Sequence, residues 1–164
     1  MLPYLLIAGA VLVLDQVTKW LVQASMAPFQ SIRWVDGVFS LTYVKNYGAA
    51  FGILYYQTFL LIGITLALFA VIWVNRRQFH LQSRIFRLGL ALALGGAAGN
   101  FLDRVRLGYV VDFLDLQYWP VFNLADTGIV IGVALIIYAL LREDFAKKAG
   151  RREQLPEEFR GGDQ

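Results

Sequence analysis

The sequence predicts an all-α polytopic membrane protein with four transmembrane helices and a small β element at one membrane surface. Composition is the first observation behind this. Of 164 residues, 58% are hydrophobic and 16% charged, against about 45–50% and about 25% in a soluble domain; the mean hydropathy is +0.55. The second is length. Apolar runs at about 4–22, 58–74, 85–102 and 124–141 approach the roughly 20 residues that a spanning helix needs. The third is charge placement. Ten of the fifteen Lys and Arg lie in 76–87 and 142–160, flanking those runs, which speaks for membrane topology and against nucleic acid as a partner. The expected organisation is a single membrane-embedded domain, 1–141, and a basic tail, 142–164. With no cysteine, a disulfide, a thiolate nucleophile and a Cys metal site are excluded.

The first run carries Asp15 and Lys19. Four residues apart on a helix, they share a face, where they form an ion pair that fixes packing or take part in a site. A cleaved leader is the rival reading of this run, since Ala24 to Ala27 is rich in small residues; the lack of Lys or Arg at its start opposes it. Residues 30–45 hold two β-branched and aromatic stretches around Asp36-Gly37, which predicts a β-hairpin. It is too polar to span and belongs on the membrane surface. Asn46 to Gly52 follows, with Gly48, Ala49 and Ala50 among its residues. It is either an ordinary turn or a place where backbone approaches a ligand closely.

The second helix, 58–74, ends at Asn75-Arg76-Arg77. The loop to Arg87 holds four arginines and no acid, together with His80, the only histidine, read as a solvated loop residue. In the third helix the run Gly95 to Gly99 suits close helix contact. Asp103-Arg104 closes that helix, and 106–122 reads as a connection of about seventeen residues. The fourth helix, 124–141, precedes a charged segment expected to form a surface helix and then a disordered tail. Loop 75–87 and the tail share one side, which the positive-inside rule makes cytoplasmic. Both termini are then cytoplasmic, and Asp112 and Asp126 lie at the outer face.

The stretch Gly95 to Gly128 holds Asp103, Asp112, Asp115 and Asp126. Carboxylates this near membrane helices are costly unless paired, wetted or used. Neither a Cys nucleophile nor an HExxH motif is present, and His80 lies toward the opposite face. A carboxylate pair sharing one proton remains as a way to activate water for peptide hydrolysis. Asn123 stands at an N-cap position with Asp126 at N3, where the helix start favours negative charge; Asp126 suits the ionised role. Asp112, between Val111 and Phe113, suits the protonated one. Asp103 reads as structural, partnered by Arg104 or Lys19, and Asp115 as solvated. Asn100 and Asn123 either orient carboxylates and substrate or simply cap and join helices. Arg104 either meets a lipid headgroup or locks Asp103. A proton or ion relay and a non-catalytic assembly subunit are the competing functions on these residues alone.

Five segments, taken in order, carry a family likeness. They are Asp15-Gln16-Val17-Thr18-Lys19, Asn46 to Phe51, Gly95 to Asn100 through Asp103-Arg104, Val111-Asp112-Phe113, and Phe122 to Asp126. Over about Leu2 to Leu141 the chain resembles the bacterial lipoprotein signal peptidases, the type II signal peptidases. The resemblance implies a four-helix inner-membrane enzyme with a small extracytoplasmic β-sheet cradle. The substrate it implies is a prolipoprotein whose lipobox cysteine carries diacylglycerol, cut just before that cysteine. It maps a catalytic dyad onto Asp112 and Asp126, with Asp103 as the alternative partner. It places Asn46, Gly48, Asn100, Arg104 and Asn123 as substrate-lining or supporting positions. It further implies no cofactor or metal, inhibition by globomycin-type cyclic peptides, contact with membrane lipid and a monomer. The hairpin is expected to close over bound peptide.

Overall fold

The computed structural model describes residues 2–48, 54, 57–80 and 82–153. Among these residues there are eight elements: α1 (Leu2–Ser25), β1 (Ser31–Val35), β2 (Phe39–Asn46), α2 (Thr58–Val74), α3 (Arg76–His80), α4 (Arg84–Leu107), β3 (Val110–Asp115) and α5 (Leu124–Glu153). By length and composition, α1, α4 and the 124–146 portion of α5 are long enough to cross a membrane; α2 is apolar and shorter, at 17 residues. The described residues are thus helix-rich, with three long apolar helices and one small three-stranded sheet among them.

The burial pattern is the inverse of a soluble bundle. On α1 the buried residues are Asp15, Lys19 and Val22, while Leu5 is 69% and Leu6 64% exposed. Apolar side chains face outward, as a lipid solvent requires, and polar groups turn inward. Helices approach through small residues. A Cβ on Gly95 would stand 2.5 Å from the Ala8 carbonyl of α1, and one on Gly89 2.5 Å from the Gly132 carbonyl of α5. Additions at Gly96 and Gly99 would strike the Ala125 carbonyl and the Asp15 carboxylate. The glycine run of the third helix therefore serves contact with both neighbours.

The sheet has order β1-β2-β3 and is antiparallel throughout. The expected hairpin forms, turning at Gly37 with φ +71°. Its inner strand pairs with β3, Val44 opposite Asp112 and Asn46 opposite Val110. Val22 of α1 and Met26 just beyond its end pack under the sheet against Tyr43, Val111 and Phe113. The end of α4, the end of α1 and the start of α5 all meet at this sheet.

Three boundaries differ from the expectation. The third helix passes Asp103 and stops only at Gly108, whose φ of +79° ends it in a left-handed cap. The 106–122 stretch is not a plain connection, because β3 fills its centre and Leu114 bridges Phe122 beyond it. The fourth helix runs unbroken from the apolar run to Glu153, so the charged segment is its continuation. Residues 154–164 and the side chain of His80 lie outside the described residues, as do Ala49 to Ile53 from the turn after the hairpin.

One buried cation ties the elements together. Lys19 Nζ, on a side chain 2% exposed, lies 2.9 Å from Asp15 Oδ2, Asp103 Oδ2 and Asn100 Oδ1. An ammonium has three donors, and each has a partner. Asp15 Oδ1 accepts the Ala125 N–H at 2.9 Å in the first turn of α5. Asp103 Oδ1 accepts from Gln16 at 2.9 Å, and its Oδ2 from the Val111 N–H at 3.1 Å. A single group thus links α1, α4, β3 and α5. Removing one member of such a set strands the others' charge, which costs about 3–5 kcal/mol. Lys19→Met is accordingly expected to lower the thermal unfolding temperature of the purified protein sharply, and Asp103→Asn added to it should recover part of the loss. Unchanged unfolding in Lys19→Met would refute this role.

Candidate active site

The site assembles above Lys19, around two asparagines. Asn123 is the N-cap of α5. Its Oδ1 accepts the Asp126 N–H at 2.9 Å, and the Asp126 carboxylate accepts the Asn123 N–H at 3.3 Å. This is a reciprocal capping box with aspartate in the usual glutamate place. It holds the Asp126 carboxylate against the helix start, where peptide dipoles favour negative charge. The Asn123 side-chain amide, fully buried, donates to Asp112 Oδ1 at 2.6 Å. One residue therefore bonds both carboxylates.

Asn100 supplies the second link. Its amide donates to Asp126 Oδ1 at 2.7 Å, while its Oδ1 accepts from Lys19 at 2.9 Å and from Asn123 at 3.2 Å. The buried ammonium thus fixes which way the Asn100 amide points, and so which atom meets Asp126. Asn46, the last residue of β2, donates to Asp112 Oδ2 at 2.8 Å. Its own Oδ1 accepts the Gly48 N–H at 2.9 Å, and Arg104 donates to the Gly48 carbonyl at 3.1 Å. Arg104 thereby fastens the 46–48 backbone over α4.

The two carboxylates differ in setting. Asp112, in the middle of β3, is 1% exposed; Asp126 is half-buried. Burial pushes the Asp112 carboxyl up to about 7, and the neighbouring Asp126 charge adds to the rise. Hydrogen bonds from Asn46 and Asn123 oppose it without cancelling it. A carboxylic acid still protonated near neutrality can donate a proton to a carbonyl oxygen.

The structure brings Asp112, Asp126, Asn46, Gly48, Asn100, Arg104 and Asn123 to one place at the sheet end of the bundle. Asp15, Lys19 and Asp103 form the layer beneath. Asp103 pairs with Lys19, and both its oxygens are occupied. Asp115, read from sequence as solvated, instead accepts from Thr42 at 2.7 Å and from the Gln117 N–H at 2.9 Å. Gln16 is a residue that sequence reasoning passed over. It bonds Asp15, Asp103 and the Gly99 carbonyl; its signal was its place beside Asp15, one residue off the buried stripe. The 116–121 loop is bound to the hairpin by Tyr118 Oη on the Gly37 carbonyl, 2.8 Å, and by Gln117 on Ser40, 3.0 Å.

Comparison with known proteins gives the family. The family model described as signal peptidase (SPase) II matches residues 7–142. The lipoprotein signal peptidase of Moorella thermoacetica is 46% identical over 140 residues, covering 85% of this chain and 93% of that protein. The lipoprotein signal peptidase of Pelotomaculum thermopropionicum is 43% identical over 149 residues, covering 91% and 97%. A bacterial membrane enzyme solved by the in meso method at 2.3 Å resolution superposes with a TM-score of 0.83 at 34% identity, covering 88% of this chain and 90% of that one. On the strength of the matched length and these identities, the chain belongs to the signal peptidase II family.

Proposed function

We propose that this protein is a membrane-embedded aspartic endopeptidase acting on prolipoproteins whose lipobox cysteine carries diacylglycerol. It cuts just before that cysteine, with Asp112 and Asp126 as the catalytic dyad. The observation that carries the reading is the shared asparagine: Asn123 bonds Asp112 by its side chain and Asp126 by its backbone. Family membership supports an aspartic peptidase that processes prolipoproteins. Asp103 is ion-paired with the buried Lys19 in the layer beneath, which favours the dyad over the alternative pair.

In the cycle we infer, ionised Asp126 takes a proton from water, and the hydroxide adds to the scissile carbonyl carbon. Asp112 gives its proton to the carbonyl oxygen. The neutral gem-diol then collapses. Asp126 returns its proton to the leaving nitrogen as the C–N bond breaks, and Asp112 recovers one from the diol. Both carboxyls regain their starting state, and no metal or cofactor is called on. Asn46 holds the Asp112 carboxylate and Asn100 that of Asp126, while Arg104 and Gly48 line the approach of the peptide.

Further parts of the reading concern the membrane. At 1.5 Å per residue, the 17 residues of α2 reach about 25 Å, the lower end of a crossing, which supports α2 as a fourth span. The arginines of 76–87 lie at the end away from the sheet. They favour that end as cytoplasmic, with both termini, and the site at the outer face of the inner membrane. A lipidated substrate then arrives sideways, with its scissile bond near the headgroups. Exposed Trp34, Tyr118 and Trp119 suit that depth. A globomycin-type cyclic peptide fits as an inhibitor of the same site.

The test is cleavage of a diacylglyceryl-modified lipobox peptide by purified protein. Asp112→Asn and Asp126→Asn should each lower turnover by about 10³-fold or more, with unfolding temperature and globomycin binding retained. Turnover surviving in Asp112→Asn but lost in Asp103→Asn would refute the assignment. The rate should also fall as pH rises through about 7. Asp112 is protonated below that value and ionised above it, and its proton is needed for carbonyl protonation. A rate flat from pH 6 to 8.5 would contradict the acid role.

A further inference from the structure

At the end of the bundle away from the dyad, a cavity of about 410 Å³ opens between α1, α2 and α4, with α3 across its end. Its walls are apolar: Leu5 and Ala8 of α1, Phe69 of α2, Leu90 and Leu94 of α4. From Arg87 to Leu94 the wall of α4 is about 10 Å deep at 1.5 Å per residue. This is a volume within the usual range of ligand pockets. The helix on its outer side, α2, buries none of its residues.

Two guanidinium groups stand at the polar end. Arg76 stacks over Trp73 at 4.5 Å and donates to the Trp73 carbonyl at 2.8 Å. Arg87 lies over the Tyr4 ring at 5.0 Å, and its buried Nε has no hydrogen-bond partner. No carboxylate pairs with either among the described residues. The nearest chain segment, 75–87, holds no acidic residue. A buried donor left unmade costs about 1–3 kcal/mol, which an anionic acceptor recovers.

The geometry points to a binding site for one anionic phospholipid, with an acyl chain in the cavity and the phosphate against Arg76 and Arg87. Both halves of the occupant are specified. An inorganic anion has nothing to place on the apolar walls. The hydrophobic core of a signal peptide fits the walls, but its leading segment is basic and meets two arginines. A choline headgroup brings a cation to the same place. The lipid also fills the space beside α2, which the protein itself leaves unpacked.

Native mass spectrometry of the full chain in nonionic detergent tests this, with phosphatidylglycerol, phosphatidylcholine of the same acyl chains, and inorganic phosphate as probes. One phosphatidylglycerol should bind more tightly than phosphatidylcholine, and phosphate alone should neither bind nor displace it. Arg76→Gln with Arg87→Gln should weaken phosphatidylglycerol about thirtyfold, at roughly 1 kcal/mol per basic side chain. Ala8→Phe, which fills the cavity and leaves both arginines, should weaken it about tenfold if a chain occupies the walls. Both variants should still cleave lipobox peptide, since neither position belongs to the dyad. Equal binding of the two lipids, wild-type binding in the double variant, wild-type binding in Ala8→Phe, or displacement by phosphate would each overturn the proposal.

Discussion

The ammonium of Lys19 is the contact on which the structure turns. It sits in the middle of the bundle with every donor used, between Asp15 on its own helix and Asp103 and Asn100 on α4. The desolvation of three charges is offset only because the geometry is close and complete. Both carboxylate partners also accept a backbone N–H: Asp15 from the first turn of α5, Asp103 from the start of β3. Those two backbones carry Asp126 and Asp112. The ion cluster thus sets the position of the two elements that bear these carboxylates, from beneath.

The upper layer works by hydrogen-bond direction. An amide side chain has a donor end and an acceptor end, and Lys19 claims the acceptor end of Asn100. Its donor must then face Asp126. Asn123 is constrained likewise, its oxygen held by the Asp126 N–H and its nitrogen turned to Asp112. Two carboxylates that repel one another are thereby kept near by donors rather than by a cation. A cation placed directly between them would hold both ionised and remove the acid. Burial and the Asp126 charge instead raise Asp112 to about 7.

Much of this was legible in the residues. Three of the four apolar runs emerged as long helices, and the spacing Asn123 to Asp126 announced its capping box. Asp15 and Lys19, four apart, announced their pair. The third strand was not legible. Val110 to Asp115 is six residues with two aspartates, too short and too polar for a clear period of two. Its pairing with β2 depends on partners more than sixty residues away. The end of α4 was misplaced because Asp103-Arg104 looks like a stop, whereas the helix continues until Gly108 supplies the left-handed residue. Asp115 looked solvated because Thr42, its donor, lies on a distant strand. What sequence reading missed were mostly contacts made by register; what it caught were contacts within one or two turns and the charge match of Lys19 with Asp103.

The inside-out distribution on α1 has a consequence for handling the molecule. Its outward leucines are more than half exposed at Leu2, Leu6 and Leu14, while its inward face holds Asp15 and Lys19. Instructions for assembly and preference for solvent are therefore written on opposite sides of the same helix. A version remade for water would exchange the outer side alone, swapping leucine for glutamate or lysine along that stripe, and keep the inner side letter for letter.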